Sequence, residues 1–174
     1  ADSFFNVTTP KWAAQAIKIA AELGWKPTHY LNSVSSSVGS VMVPAGAENG
    51  IGIISSNYFK DPADPVWAND KGYLEYKAWL EKNMPGANIV EGFYVSGYIH
   101  AAATAQVIRQ AGDDLTRANI MKQAANLKNF ENGMLLPGIK LNTSATDFYP
   151  VENKQLMKWN GKSWEMFGEI YGPK

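Results

Sequence analysis

The sequence predicts an α/β fold in which helices cover a sheet of mainly parallel strands, and three observations support this prediction. Short apolar runs alternate with helical patterns in residues 1–58, which favours parallel strands joined by helices. A polar, proline-bearing connection at residues 60–65 then leads into a helix-rich part. Strand patterns return near the end of the 174-residue chain, whose length and 45% hydrophobic content suffice for a buried core.

The chain opens with a predicted strand followed by a helix. A short apolar run at residues 4–7 leads to Thr8, Thr9 and Pro10. Thr9 is a favoured N-cap residue, and Pro10 suits the first helical position. Apolar side chains then recur at helical spacing as far as Gly24, a favoured helix stop. The residues with this spacing are Trp12, Ala16, Ile19, Ala20 and Leu23.

Two further strands are predicted in the same part of the chain. The first covers residues 29–34, and the second is the β-branched run at residues 50–55, which is typical of a buried strand. Between them lies a serine-rich stretch at residues 33–40, and residues 38–45 are predicted to form a short helix that breaks near Pro44. The order of elements to this point is therefore strand, helix, strand, helix, strand.

Helices are predicted after the connection at residues 60–65, which is the predicted domain boundary or hinge. An amphipathic helix ends before Pro85, an alanine-rich helix ends at Gly112, and a third helix begins at the N-cap Thr116. The apolar residues that mark these helices are Tyr73, Tyr76, Leu80, Tyr98, Ala101, Ala102, Ala105, Ile108, Ile120, Met121, Ala124 and Leu127.

The last part of the chain is predicted to form strands. Residues 138–141 are one candidate. Residues 156–159 and 163–167 flank Asn160-Gly161, a dipeptide that favours a two-residue hairpin turn. We therefore expect an antiparallel pair of strands near the end of the chain.

The charge balance argues against a nucleic-acid partner. Lys plus Arg and Asp plus Glu both number 16, so the formal net charge is zero and no field gathers phosphates. Arg109 and Arg117 are the only arginines. The chain has no cysteine, which excludes disulfides, thiolate metal sites and cysteine nucleophiles. No apolar run is long enough to span a bilayer.

No group of side chains predicts catalysis or a metal site. Neither His29 nor His100 has an acidic or second histidine partner at helical or hairpin spacing. The paired carboxylates Asp61 with Asp64 and Asp113-Asp114 are explained by capping and turn formation. We therefore expect no cofactor, metal ion or catalytic residue. The 21 aromatic residues (6 Trp, 8 Tyr and 7 Phe) fit either a packed core or a cleft that stacks on ligands.

Three stretches, taken in order, resemble periplasmic solute-binding proteins of the branched-chain amino acid ABC-transporter type. The first, at residues 8–27, contains TTPKWAAQAI and AELGWKP and is similar to a strand–helix unit of that family. The second, at residues 92–103, contains GFYVSGY and AAA and resembles its aromatic and alanine-rich helix. The third, at residues 112–139, contains GDDLTR and MLLPGI and resembles its late helix and following strand.

The resemblance implies a type I periplasmic-binding fold, in which two doubly wound, parallel-sheet lobes are joined by three hinge crossovers. Residues 1–58 and 149–174 would form most of the second lobe. Residues 62–146 would be the returning part of the first lobe, with crossovers near 58–62 and 146–149. Family members are much longer, so the fold would be incomplete here. We expect the N-terminal remainder to be either lost from the molecule or carried as a separate chain.

The resemblance also implies a function without catalysis. The lobes would close around a small-molecule solute with a carboxylate, such as a branched-chain or other amino acid or an aromatic or organic acid. An ABC transporter permease in the membrane would recognise the closed form. The implied location is the periplasm, reached through a signal peptide that this chain does not contain. Two alternatives stay open: the ligand-binding sensor domain of a receptor, and an enzyme on a related α/β scaffold.

Most candidate ligand-binding residues follow predicted strands, because ligands of such folds bind at the carboxyl ends of strands and at helix N-termini. Thr8 and Thr9 offer hydroxyls and free N–H groups to a carboxylate, although helix capping alone also explains Thr9. Ser33 and Ser35 follow the second strand, where turn formation is the alternative. Tyr58 lies at the predicted crossover, on the hinge side of the cleft.

Three further candidates come from the resemblance. Phe93 and Tyr94 fall where the family has an aromatic cleft wall, and one of these adjacent residues is expected in the core. Asn49 stands where amino-acid binders often place an acidic partner for the ligand's ammonium, with Glu48 one step earlier. A charge-assisted hydrogen bond is about twice as strong as a neutral one. An acid without an amine therefore competes with an α-amino acid as the expected solute.

Overall fold

The structure, a computed structural model, describes residues 1–172, in which five strands form one mixed sheet. The strands are β1 (Ser3–Asn6), β2 (Thr28–Leu31), β3 (Ile54–Asn57), β4 (Lys154–Trp159) and β5 (Trp164–Tyr171). They lie side by side in chain order, with β1, β2 and β3 parallel and β4 antiparallel to both β3 and β5. The predicted α/β architecture is confirmed.

Four α-helices accompany the sheet, and their ends follow the predicted signals. The helices are α1 (Pro10–Glu22), α2 (Lys71–Asn83), α3 (Gly92–Ala111) and α4 (Arg117–Ala124). Gly112 ends α3 with a φ of 61°, and the Thr116 hydroxyl accepts a hydrogen bond from the Asn119 N–H at 3.4 Å at the start of α4. Shorter helical turns cover Ser33–Ser35, Val38–Met42, Ala47–Gly50 and Pro65–Trp67. None of the helices described is long and apolar enough to cross a membrane.

Helix α1 forms as predicted, but it buries a different face. The bulky residues whose spacing predicted it are mostly exposed, as Trp12, Ile19 and Leu23 show. The side chains that α1 buries are Ala13, Ala14, Ile17 and Ala20. Mostly small side chains let the helix backbone approach the sheet closely, so size rather than hydrophobicity decides which face packs inward.

The strand predicted at residues 50–55 enters the sheet only at Ile54, so its predicted start is wrong. Gly52 has a φ of 92° and lies in a turn, and its N–H donates to the Trp159 carbonyl at 2.8 Å. The Ile53 N–H donates to the Gly50 carbonyl at 2.9 Å within the same turn. The β-branched run therefore spans a turn as well as the beginning of β3.

Two other strand predictions also need correction. Residues 138–141 are not a strand, since only Leu141 forms an isolated bridge, to Phe130. The strand predicted at 29–34 ends at Leu31, where the chain turns into a short helix. Ile139 and Leu141 pack in the core without forming a ladder of backbone hydrogen bonds, whereas Val34, beyond the end of β2, is exposed.

The predicted C-terminal hairpin is confirmed. Its loop has four residues rather than two, because Trp159 pairs directly with Trp164. The Asn160 side chain accepts hydrogen bonds from the N–H groups of Lys162 and Ser163, both at 2.9 Å, and these bonds hold the turn.

The buried apolar residues form two separate clusters. The sheet cluster, between α1 and the sheet, consists of Ala13, Ala14, Ile17, Leu31, Val38, Val41, Met42, Ala45, Ile53, Met157, Trp159 and Trp164. The helix cluster, centred on α2 and α3, consists of Tyr76, Leu80, Val95, Ile99, Val107, Leu127, Met134, Leu135, Leu136, Ile139 and Leu141. The chain leaves the sheet cluster after β3 and returns to it with β4. The division into lobes with the boundaries given above stays a prediction.

The crossover segment, residues 57–64, leads out of β3 and is anchored on the helix side by a buried lysine. The Lys60 ammonium donates to Asp70 Oδ1 at 2.7 Å and to the Gly133 carbonyl at 2.8 Å. Because Asp70 also caps α2, this ion pair fixes the crossover segment to the start of that helix.

One face of the sheet, on the side of β1 and β2, is exposed in the described part of the chain. Phe5 and Tyr30 stack on this face with ring centroids 4.8 Å apart, and 69% of Phe5 is exposed. Among residues 1–172, β1 has β2 on one side and no strand on the other. Parallel sheets normally carry helices on both faces, so an exposed aromatic pair on parallel strands is unusual.

Candidate functional site

A cavity of about 120 Å³ lies where the crossover segment meets the serine segment, residues 33–40, and the N-terminal end of α3. Its lining residues are Pro10, Ser33, Val34, Ser36, Ser37, Ser40, Asn57, Tyr58, Phe59, Asp61, Glu91, Gly92, Phe93 and Ser96. Ser33 closely follows β2 and Asn57 ends β3. The cavity therefore lies at the carboxyl ends of parallel strands, where α/β folds usually bind ligands.

The serine segment is held from both sides by hydrogen bonds. The Thr8 carbonyl accepts from Asn32 Nδ2 at 2.9 Å and from Ser35 Oγ at 2.5 Å. On the other side, Trp164 Nε1 of the hairpin donates to the Ser36 carbonyl at 2.9 Å. These bonds come from the β1–α1 connection and from β5, so they give the serine segment a defined position.

Aromatic side chains form the wall opposite the serine segment. Phe93 lies in the first turn of α3 and is 62% exposed. Tyr58 packs edge-on against Phe59, with ring centroids 4.9 Å apart, and its hydroxyl lies 3.3 Å from Ser96 Oγ. The Glu91 side chain caps α3 by accepting from the Phe93 N–H at 3.3 Å. The wall therefore offers apolar ring faces next to a few polar groups.

Asp61 is the buried carboxylate of the cavity. Its Oδ2 accepts from the Val38 N–H at 2.7 Å, and its Oδ1 accepts from the Ala63 N–H at 2.8 Å. Burial raises the pKa of Asp61 to about 6, although both backbone donors lower it. The carboxylate joins the serine segment to the crossover segment.

The lining carries negative charge. It contains the carboxylates of Asp61 and Glu91, and no Lys, Arg or His side chain is among the described lining residues. Lys154 does not line the cavity, although its ammonium donates to the lining residue Ser33, at Oγ, at 2.9 Å. This surface suits ammonium groups and hydroxyls better than carboxylates.

Five of the predicted ligand-binding residues lie in or beside the cavity. Ser33, Tyr58 and Phe93 line it. Thr8 and Thr9 precede the lining residue Pro10 and are exposed, but the Thr8 hydroxyl donates to Asn6 Oδ1 at 2.6 Å, and the Thr9 side chain makes no capping hydrogen bond. The free N–H groups predicted there are few, because Pro10 has no N–H.

The other three predicted residues lie away from the cavity surface. Ser35 is fully buried and Tyr94 packs against the helix cluster. Asn49 lines a separate depression with Trp25 and Lys158, and its side chain donates to the Ala45 carbonyl at 2.8 Å. Asn49 precedes β3, at the end of the strand opposite to the cavity, because a strand's amino and carboxyl ends lie on opposite edges of the sheet.

Several lining residues were not identified from the sequence. Asn57 is the last residue of β3, so the rule of strand ends would have found it if the strand had been placed correctly. Asp61 was assigned to turn formation, and the Ala63 N–H it accepts is indeed a turn contact. Its second contact, with Val38, is 23 positions away along the chain and has no sequence signal.

The histidines do not contribute to the cavity. Burial lowers the pKa of His29 to about 4, and His29 lines the separate depression. His100 is exposed on α3. Residues 1–172 contain no group of three or more His, Asp or Glu side chains placed to hold a metal ion.

Comparison with solved structures identifies similar folds. A branched-chain amino acid ABC transporter protein from Thermus thermophilus with bound valine has a TM-score of 0.82 at 16% identity, over 99% of this chain and 46% of that one. A leucine-binding protein from Thermotoga maritima has a TM-score of 0.69 at 14% identity, over 99% and 45%. A branched-chain amino acid transporter substrate-binding protein from Streptococcus pneumoniae, in complex with isoleucine, has a TM-score of 0.68 at 17% identity, over 99% and 45%.

The chain thus spans less than half the length of the structures it matches. A search of curated proteins found no match. The fold agrees with the predicted type I periplasmic-binding fold, and a family model described as periplasmic binding protein matches residues 1–163. Because this match covers nearly the whole sequence, the chain belongs to the periplasmic binding protein family.

Proposed function

We propose that this chain forms one side of the solute-binding cleft of a transport receptor and acts without catalysis. The cavity carries this proposal, since it lies at strand ends and combines an aromatic wall with a few polar groups. Concave sites of this composition are typical of small-molecule binding. The serine segment on one side packs on the sheet cluster, and α3 on the other side belongs to the helix cluster.

The proposed solute is a small carboxylate-bearing molecule, and an α-amino acid fits the cavity best. The Glu91 carboxylate provides negative charge to pair with an ammonium, and the buried Asp61 carboxylate adds to the negative potential without contacting the solute. Phe93 provides surface for an apolar side chain. The neutral Asn49 no longer argues against an amine, because it does not line the cavity. The bound valine of the Thermus thermophilus structure and the isoleucine of the Streptococcus pneumoniae structure support a branched-chain amino acid.

The carboxylate of the solute would be bound by a part of the protein beyond this chain. The acidic lining disfavours a carboxylate, and the chain spans only 46% of the Thermus thermophilus structure. The N-terminal remainder of the protein, on the same or a separate chain, would also cover the exposed Phe5 face and pair with the free edge of β1.

The proposed setting is the periplasm, where the closed receptor would deliver its solute to an ABC permease. Membership of the periplasmic binding protein family supports the location, as does the fold shared with proteins of branched-chain amino acid transporters. Export to the periplasm would require a signal peptide.

Thermal denaturation of the full-length protein with added L-valine, L-leucine, L-isoleucine or benzoate tests the proposal. We expect at least one amino acid to raise the Tm in proportion to the logarithm of its concentration. Phe93→Ala should reduce that shift. Leu115→Ala is the control, because Leu115 is equally exposed (62%) but lies outside the cavity. Stabilisation by benzoate alone would contradict the amino-acid assignment, and no shift with any of the four would contradict the proposal.

A further inference from the structure

One carboxylate connects the two segments that shape the polar side of the cavity. Asp61 belongs to the crossover segment, and its two oxygens accept the N–H groups of Val38 and Ala63 at 2.7 and 2.8 Å. Val38 begins the helical turn that contains the lining residue Ser40, and it directly follows the lining residue Ser37. The position of the serine segment therefore depends on an acceptor that lies in another part of the chain.

We propose that Asp61 is a positioning residue whose negative charge holds the serine segment in its ligand-binding position, so that solute affinity falls when Asp61 is protonated. The inference rests on the proposed solute-binding function. It adds to that function a named residue and a response to pH.

The chemistry of the carboxyl group gives the reason. An ionised carboxylate only accepts hydrogen bonds, so both oxygens of Asp61 can face N–H donors. A protonated carboxyl carries a hydrogen on one oxygen, so at that oxygen an O–H donor faces the backbone N–H donor that the ionised oxygen accepted from. The remaining bond also weakens, because a bond to a charged acceptor is about twice as strong as a neutral one. Protonation therefore weakens the contact with Val38, Ala63 or both.

The serine segment is placed to transmit this change to the cavity. Trp164 holds the Ser36 carbonyl from the hairpin side, but Ser37 and Ser40 lie beyond that anchor, towards Val38. The Ser40 N–H donates to Ser37 Oγ at 3.3 Å, so these two lining serines are coupled. When the Val38 contact loosens, the serine segment loses its short backbone link to the crossover segment beside Ser37 and Ser40. The remaining bond between the two segments, from Asn57 Nδ2 to Ser36 Oγ, is long, at 3.5 Å.

The groups around Asp61 determine the pH at which its side chain becomes charged. Burial raises the pKa of Asp61 to about 6, the neighbouring Asp64 carboxylate raises it further, and the Ser37 hydroxyl lowers it together with the backbone donors. Glu91 faces the same cavity from α3, and the hairpin contributes the uncharged Trp164. Lys60, the adjacent cation, bonds to Asp70 instead. No positive partner therefore stabilises the Asp61 carboxylate directly.

The pKa also carries a stability argument. Because the pKa in the folded protein lies above the ordinary 3.8, stability from this group is present below pH 3.8 and is lost as the pH rises to about 6. At neutral pH the Asp61 charge is thus held at a cost to folding. Such a cost is typical of groups that serve function rather than stability.

The expected size of the effect follows from the titration. With a pKa of about 6, roughly nine-tenths of the Asp61 side chains are ionised at pH 7 and roughly one-tenth at pH 5. If only the ionised form binds, the apparent Kd rises about tenfold between these two pH values.

Hydrogen exchange of the ligand-free, full-length protein tests the contact itself. After correction for intrinsic exchange rates, we expect the Val38 and Ala63 amides to lose protection between pH 7 and pH 5. Asp61→Asn, which keeps the shape but not the charge, should abolish this response. Asp64→Asn is the matched control, because Asp64 accepts from Trp164 rather than from the serine segment. It should keep the response, with the midpoint at lower pH, since one neighbouring charge is removed.

Calorimetric titration with L-valine tests the consequence for binding. We expect a Kd about tenfold higher at pH 5 than at pH 7, and a weak, pH-independent Kd for Asp61→Asn. If that variant does not fold, Ser37→Ala serves instead and should move the midpoint to higher pH. Identical pH responses in wild type and Asp61→Asn, or unchanged protection of both amides in the wild type, would overturn the inference. Absence of L-valine binding at both pH values would contradict the amino-acid proposal and leave the exchange experiment to decide this one.

Discussion

Substitution of Gly72 by alanine tests how closely α2 approaches the chain around Gly133. A Cβ on Gly72 would lie 2.7 Å from the Gly133 Cα and closer still to its carbonyl oxygen, whereas ordinary contacts begin near 3.4 Å. The atoms in conflict are backbone atoms, which have no alternative rotamer. The two segments must therefore separate by roughly 1 Å.

This separation has a calculable effect on the free energy of unfolding. It breaks the bond from the Lys60 ammonium to the Gly133 carbonyl, at 2.8 Å, and a bond to a charged group contributes about 1.5–3 kcal/mol. Overpacking of the backbone adds about 1–3 kcal/mol. We expect Gly72→Ala to destabilise the full-length protein by about 2.5–6 kcal/mol, the sum of these two contributions, measured by urea denaturation.

Gly97→Ala provides a control of opposite sign. Gly97 lies within α3, and a Cβ there meets no atom within 4 Å in the described structure. Alanine is favoured over glycine in helices by about 1 kcal/mol, so this variant should be more stable than the wild type. The reasoning about close approach would be refuted if both substitutions changed stability by the same amount.

Three further predictions concern buried side chains. Trp164→Phe should destabilise the protein by about 2 kcal/mol in urea denaturation, because the Ser36 carbonyl loses its buried donor. Trp25→Phe is the control, because its indole is partly exposed, and it should reduce stability by less than about 1 kcal/mol. Tyr76→Phe should stabilise the protein by about 1 kcal/mol, since the buried Tyr76 hydroxyl has no hydrogen-bond partner among the described residues. A loss of stability would show that this hydroxyl does have a partner. Burial lowers the pKa of His29 to about 4, so stability from this group is present above pH 6.5 and is lost as the pH falls towards 4. The Tm of His29→Leu should therefore fall less than that of the wild type between pH 7 and pH 5. An equal fall in Tm for both proteins would contradict this prediction.

Local sequence signals predicted most element ends. Pro10, Gly112 and Thr116 mark helix ends through backbone geometry and capping, which depend on neighbouring residues alone. Asn160 likewise predicted the hairpin, although its side chain closes a four-residue loop rather than a two-residue one.

Predictions failed where packing decides. Ile139 and Leu141 are apolar at strand spacing, but they fill the helix cluster from an irregular segment. Bulky Trp12 and Ile19 suggested the buried face of α1, yet its small residues allow the closer approach. Contacts between segments far apart in sequence decide both of these features, and a local sequence pattern carries no information about such contacts.

The candidate site shows the same division. Ser33 was predicted from its place after a strand and Tyr58 from its place at the predicted crossover, and both line the cavity. Asn49 was proposed from the resemblance at a position before β3, and it lies at the end of that strand opposite to the cavity. Asp61 was missed because its partner Val38 approaches only in the folded chain.

The hydrogen bonds of the terminal hairpin limit how early the sheet cluster can be completed during folding. Trp164 reaches the Ser36 carbonyl across 128 positions, and Trp159 Nε1 donates to the Ala47 carbonyl across 112. Contacts of such long range form slowly, because a large loop must close before they contribute. On the ribosome, the sheet cluster stays unfinished until almost all of these residues have been synthesised. Until the hairpin has been synthesised, the Ser36 and Ala47 carbonyls lack their indole donors, and the nascent chain at that stage is exposed to misfolding and to proteases.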